Sequence, residues 1–245
     1  MAYTIVAAIG IVFFNLNYYM AVALVLVPPT LVNFFWLSIA RAKVFLFSLI
    51  VTALITPLIA LASRFVSSGD WRIPAAPLAM TNLLFTFFTV LWVISFYKYF
   101  VKHEQVGDIS DRFHYLFSLY IFLLITVLAL CFAYPYFFKF SSYLIFVPFF
   151  ILPAAIIISW QKDLLKQSLS TAAFFSLVFI IMQAVLVVYN NWLWPSTSFL
   201  SIYISGVNFS IFDLIFRFAV FVSIIVVHEY FMNLHANLGG VAQPD

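Results

Sequence analysis

Asp213 and Arg217 stand four residues apart in an otherwise apolar stretch. That spacing puts a carboxylate and a guanidinium on one face of a helix. Charge inside a membrane is costly, so each such residue marks a pairing or a site. Two chemistries are open. Asp213 can neutralise Arg217, keeping both charges out of lipid. Alternatively, the two line a polar pocket in which Asp213 gives or takes a proton and Arg217 tunes its acidity. A carboxylate clamped by a guanidinium is a poor acid, so the readings compete. A second polar spot, Thr81 and Asn82, opens an earlier apolar segment. It serves either as an interhelical hydrogen-bonding group or as the other wall of that pocket. Asn33 and Gln183 are further polar residues of apolar segments, read as packing contacts.

Other chemistries lack their residues. His103, His114, His228 and His235 fall near segment ends and form no HExxH pair, so no metal site is expected. There is no GxSxG elbow, and six glycines build no phosphate loop. Cys131 is the single cysteine; it excludes an internal disulfide and reads as a buried, inert thiol. Proton chemistry without net redox change requires no cofactor.

The elements around these residues are apolar. Of 245 residues, 66% are apolar and 8% charged, whereas a soluble domain is about a quarter charged. A core of this length cannot hide that much apolar surface. The expected class is an all-α integral membrane protein, which excludes a soluble enzyme, a nucleic-acid binder and a disulfide-stapled domain. The 32 phenylalanines face lipid or line an aromatic cavity for a hydrocarbon.

A spanning helix needs about 20 apolar residues, and seven segments qualify: Tyr18–Ala40, Val44–Ser63, Leu78–Phe100, Phe113–Tyr136, Tyr143–Trp160, Leu169–Tyr189 and Val207–Phe231. Residues 1–14 read as a half-helix or interfacial segment, without a cleavable leader. Arg41, Lys43, Lys98, Lys102, Arg112, Lys162 and Lys166 fall on one side; Arg64, Arg72 and Lys139 fall on the other. The richer side is expected to be cytoplasmic, and the C-terminus with it.

The segments repeat. At an offset of 124, Phe13, Phe14, Tyr19, Pro29 and Trp36 fall on Phe137, Phe138, Tyr143, Pro153 and Trp160. At 128, Phe47-Ser48-Leu49 falls on Phe175-Ser176-Leu177; at 131, Leu83, Phe85, Phe87, Tyr99 and Phe100 fall on Leu214, Phe216, Phe218, Tyr230 and Phe231. Pro29 and Pro153 are expected to kink equivalent helices. Asn82 then corresponds to Asp213, and Thr86 to Arg217. The layout is a 3+1+3 parallel internal repeat, with a pseudo-twofold axis along the membrane normal. Its parts are a first three-helix unit with the N-terminal segment (1–103), a linking helix (104–142), a second unit (143–235) and a polar tail (236–245).

Trp71 precedes Ala79-Met80-Thr81-Asn82-Leu83-Leu84-Phe85 in unit one, and Trp194 precedes Ser210-Ile211-Phe212-Asp213-Leu214-Ile215-Phe216 in unit two. This arrangement resembles the lycopene cyclase domain, a duplicated three-helix membrane unit of carotenoid cyclases. There the third helix opens with Pro-x-Glu-Glu-x-x-Phe-Phe. In this chain both prolines are absent, and the paired acids read Thr81-Asn82 and Phe212-Asp213. The resemblance implies acid/base modification, by cyclisation or a related step, of a carotenoid or other isoprenoid end group. Asp213 would be the acid or base, and Arg217, Asn82 and Thr81 would stand around it. Aromatic faces could stabilise a developing carbocation.

Two other classes stand beside this one. A non-catalytic subunit of a membrane complex fits the short loops and the poverty of polar groups. A small 3+1+3 solute transporter fits the layout but lacks polar midplane residues and a Pro-Gln pair. The expected partners are the bilayer, a hydrophobic isoprenoid ligand and other membrane proteins.

Overall fold

A computed structural model describes residues 2–14, 16, 18–65, 78–103, 125–126, 143–190, 201–204 and 207–233. Its elements are α1 (Ala2–Phe13), α2 (Tyr18–Trp36), α3 (Arg41–Phe65), α4 (Leu78–Phe96), α5 (Tyr143–Trp160), α6 (Asp163–Asn190) and α7 (Ile211–Asn233). A π turn, Tyr97–Val101, extends α4. Strands β1 (Ser201–Ile204) and β2 (Val207–Ser210) pair antiparallel, with Ser201 opposite Ser210.

Apolar sequence favours helices because each satisfies its own backbone groups. Their ends are closed locally. At the end of α2, Leu37 N–H donates to the Phe34 carbonyl (3.2 Å). The Arg41 guanidinium donates to the carbonyls of Phe35 (2.8 Å) and Leu37 (2.6 Å). A cation on the last carbonyls also suits the helix dipole. Within helices, buried hydroxyls bond back to the preceding turn, as Ser48 does to Val44 (2.8 Å) and Ser168 to Leu164 (2.7 Å).

Two helices form the centre. Residues Val90 to Ser95 of α4 are all buried, as are Phe221 to Tyr230 of α7. A helix buried on every side must be enclosed by others. Helix α4 packs on α2 and α3, α7 packs on α5 and α6, and α4 touches α7. Short α1 lies against α2 and α6, with the Tyr3 hydroxyl donating to the Leu24 carbonyl.

The two triples share contacts as well as order. Trp36 ends α2 and packs on Tyr99 (centroids 5.3 Å, 34°); Trp160 ends α5 and packs on Tyr230 (6.1 Å, 41°). An aromatic ladder joins them. Trp92 and Phe96 of α4 meet Phe175 of α6 edge-on, each at 5.3 Å. Phe96 stacks on Phe174 at 5.1 Å, and Phe221 reaches Phe179 at 5.2 Å.

The outer surface keeps large apolar groups, including Phe35, Trp36, Ile39, Leu152 and Trp160. Two helical stretches, Leu83–Val101 and Asp163–Met182, are long and apolar enough to cross a membrane. Apolar stretches of α2 and α5, Met20–Trp36 and Phe150–Trp160, are shorter.

Several sequence expectations change. The last helix begins at Ile211, not Val207, because residues 207–210 pair as β2. This small hairpin is the one departure from an all-helical architecture among the described residues. Helix α6 begins at Asp163, six residues before the expected Leu169; an acid in the first turn suits the helix N-terminus. The expected linking helix, Phe113–Tyr136, lies outside the described residues except 125–126, which are helical.

Candidate functional site

The residues singled out in the sequence occupy helix beginnings. Asp213 is the third residue of α7, in its first turn, rather than well inside a helix. Thr81 and Asn82 lie in the first turns of α4. The side chains of Thr81, Asn82 and Asp213 lie outside the described residues, so their expected confrontation does too. Arg217 is half-buried nearly two turns into α7.

Charge concentrates at the other end of the same two helices. Sixteen residues separate Asp213 from Glu229, roughly 24 Å of helix at 1.5 Å per residue. There, Lys98 Nζ approaches Glu229 Oε1 to 2.6 Å, with both side chains at 1% exposure or less. His228 Nδ1 lies 3.4 Å from the same oxygen and is fully buried. The sequence groups Lys98, near the end of the third span, with the basic residues of the cytoplasmic side; the structure instead encloses it inside the bundle. It drops out of the basic tally, which still favours the same side.

The local backbone makes this possible. Tyr97 and Lys98 are consecutive, and neither has any exposure. An α-helix turns neighbouring residues about 100° apart. Full burial of both requires neighbours on two sides, which the central position of α4 supplies. The π turn, with Lys102 N–H donating to the Tyr97 carbonyl at 3.1 Å, widens the coil at this point; such turns are common at functional sites. His228 and Glu229 are likewise consecutive and enclosed, on α7.

Side chains from α3 and α6 close on this centre. Phe47 of α3 meets the His228 ring edge-on at 4.8 Å and 87°. The Tyr97 hydroxyl donates to Gln167 Oε1 of α6 at 3.2 Å, so the π turn is also tied to the second triple. Ser95 lies one turn before Lys98, buried and without a regular hydrogen bond.

Hydrogen bonding at the centre is incomplete. The lysine contact is short, yet neither Glu229 oxygen accepts a hydrogen bond of regular geometry. The close Nζ···Oε1 approach is therefore an ion contact with poor hydrogen-bond alignment. Both His228 nitrogens also lack a regular hydrogen bond. An ammonium, a carboxylate and an imidazole are thus enclosed together, with the Phe47 ring against the imidazole and a phenol on the residue adjoining the lysine. That set can hold and pass a proton. Among the described residues no three His, Cys, Asp or Glu groups cluster as metal ligands would.

The sequence contained a signal for this centre. The offset of 131 that aligns Tyr99 with Tyr230 also carries Lys98 onto Glu229 and Tyr97 onto His228. Opposite charges at equivalent positions of two central helices are a reason to look for contact.

Comparisons with protein-family models, curated proteins and solved structures give no match to this chain.

Proposed function

We propose that the chain is a multi-pass membrane protein built as a 3+1+3 parallel repeat, which carries out acid/base modification of an isoprenoid end group. The observation that carries this reading is the buried contact of Lys98, His228 and Glu229 at 2.6 and 3.4 Å. Ionisable groups enclosed by apolar helices are functional candidates by default. The repeat is supported by the matched tryptophan–tyrosine contacts of the two triples and by the central positions of α4 and α7. The isoprenoid class comes from the resemblance to lycopene cyclase domains and from the buried aromatic rings of α4 and α6.

The centre now takes the role first given to Asp213. In cyclisation the acid is the protonated form of Glu229, a minor form because Lys98 favours the carboxylate, and it gives that proton to a terminal double bond. Lys98 stabilises the carboxylate left behind. The carbocation closes on a neighbouring double bond, with aromatic faces beside it. A ring carbon then loses a proton, which His228 returns to Glu229. One proton is added and one removed, so the product is an isomer and no oxidant or cofactor enters.

Expression in a lycopene-accumulating host tests this. A new pigment of unchanged mass and shifted absorption is expected. Unchanged pigment beside well-folded protein would refute the cyclisation reading. Complete burial of all three groups favours a second reading, a packing subunit in which the charges only hold helices together. Purification with stoichiometric membrane partners and no pigment change would support it.

A further inference from the structure

We propose that Lys98 and Glu229 are the recognition pair by which the two three-helix units select each other, so that unit one fits unit two and not a copy of itself. The proposal rests on the duplicated layout above, but not on any catalytic role. Two independent observations meet here. The repeat offset of 131 makes Lys98 and Glu229 equivalent positions. Their side chains meet at 2.6 Å between α4 and α7, the central helices of the two triples.

Residues at equivalent positions touch only where a twofold axis passes between them. At such a point two identical units present like groups: two lysines or two glutamates, buried and repelling. This chain places a cation in one unit and an anion in the other. The flanking positions differ too, Tyr97 in one and His228 in the other, and each contacts the opposite unit: Tyr97 through Gln167, His228 through Phe47. The interface is therefore complementary at its axis. A buried polar pair that fixes pairing and register is the best-attested use of such groups.

The test is a charge-reversal cycle on the full chain in detergent, read as the monodisperse fraction on size exclusion and as the melting temperature. Lys98→Glu and Glu229→Lys each place like charges at the axis, and each is expected to remove most of the monodisperse fraction. The double variant Lys98→Glu/Glu229→Lys is expected to recover at least half of it. Additive loss in the double variant would overturn the proposal, as would single reversals that behave like the native chain.

Steric conflict of the new lysine with His228 is controlled by a neutral cycle, Lys98→Met and Glu229→Gln. There the double variant should lose less melting temperature than the two singles summed; strict additivity would count against the pair. These readouts involve no turnover. Restored folding in the double variant, with no new pigment from the native chain, would leave the recognition pair standing while the catalytic reading fell.

Discussion

Replacing Phe175 by alanine should loosen the join between the two triples more than any other single aromatic truncation in the ladder. Phe175 is fully buried in α6 and meets Trp92 at 5.3 Å, Phe96 at 5.3 Å, Phe174 at 5.4 Å and Phe221 at 5.9 Å. Truncating a buried Phe to Ala costs about 3–5 kcal/mol, most of it transfer and cavity terms. The two edge-on contacts to α4 each contribute ~0.5–1.5 kcal/mol beyond area burial. In a bilayer the packing loss persists, because lipid chains do not fill an internal void. At ~2–4 °C per kcal/mol for a chain of this size, the melting temperature should fall by about 6–20 °C. Thermal unfolding in detergent, followed by tryptophan fluorescence, reads this directly. Phe175→Leu should lose less than half as much. Leu177→Ala, on the exposed side of the same helix, should change little. A Phe175→Ala shift no larger than that of Leu177→Ala would refute the ladder as the join between triples.

Tyr97→Phe removes the hydroxyl that donates to Gln167 and should cost about 1 kcal/mol in thermal unfolding. Lys98→Ala leaves the Glu229 carboxylate buried without its cation and should cost ~3–5 kcal/mol; a loss below 1 kcal/mol, as for an exposed pair, would contradict the enclosed geometry. Arg41→Ala opens the α2 terminus, where the guanidinium donates to Phe35 and Leu37, and should cost ~0.3–1 kcal/mol. With Cys131→Ala as background, a membrane-impermeant maleimide should label a cysteine at exposed Lys162 and fail to label one at buried Ile225.

Helix positions were legible where apolar runs end in clear signals. The α5 span, Tyr143–Trp160, finishes where the run meets Gln161 and Lys162, whereas α2 stops at Trp36, four residues before Ala40, which was expected because the run stays mostly apolar up to Arg41. The hairpin was missed because its strands, SIYI and VNFS, are short and apolar enough to merge with the run that follows. The Ser205-Gly206 dipeptide between them, a general turn signal in sequence, was the available cue. Missing it moved the start of α7 upstream, which made Asp213 look interior when it belongs to the first turn.

The charge centre was overlooked for a related reason. Lys98 stands close to Lys102, and hydropathy assigns a basic residue at a span end to the loop. Glu229 stands four residues from the end of α7 and reads as a boundary residue. Burial at those places comes from the enclosure of α4 and α7 by other helices, a tertiary property that a single segment does not encode. Comparing the two repeat units position by position would have exposed the opposed charges.

Turnover in a lycopene-accumulating host, compared between Glu229→Gln and Asp213→Asn at matched levels of folded protein, tests the location of the chemistry most directly. Loss of the new pigment with Glu229→Gln and its retention with Asp213→Asn is the expected result. Retention with Glu229→Gln and loss with Asp213→Asn would place the chemistry at the opposite end of α7.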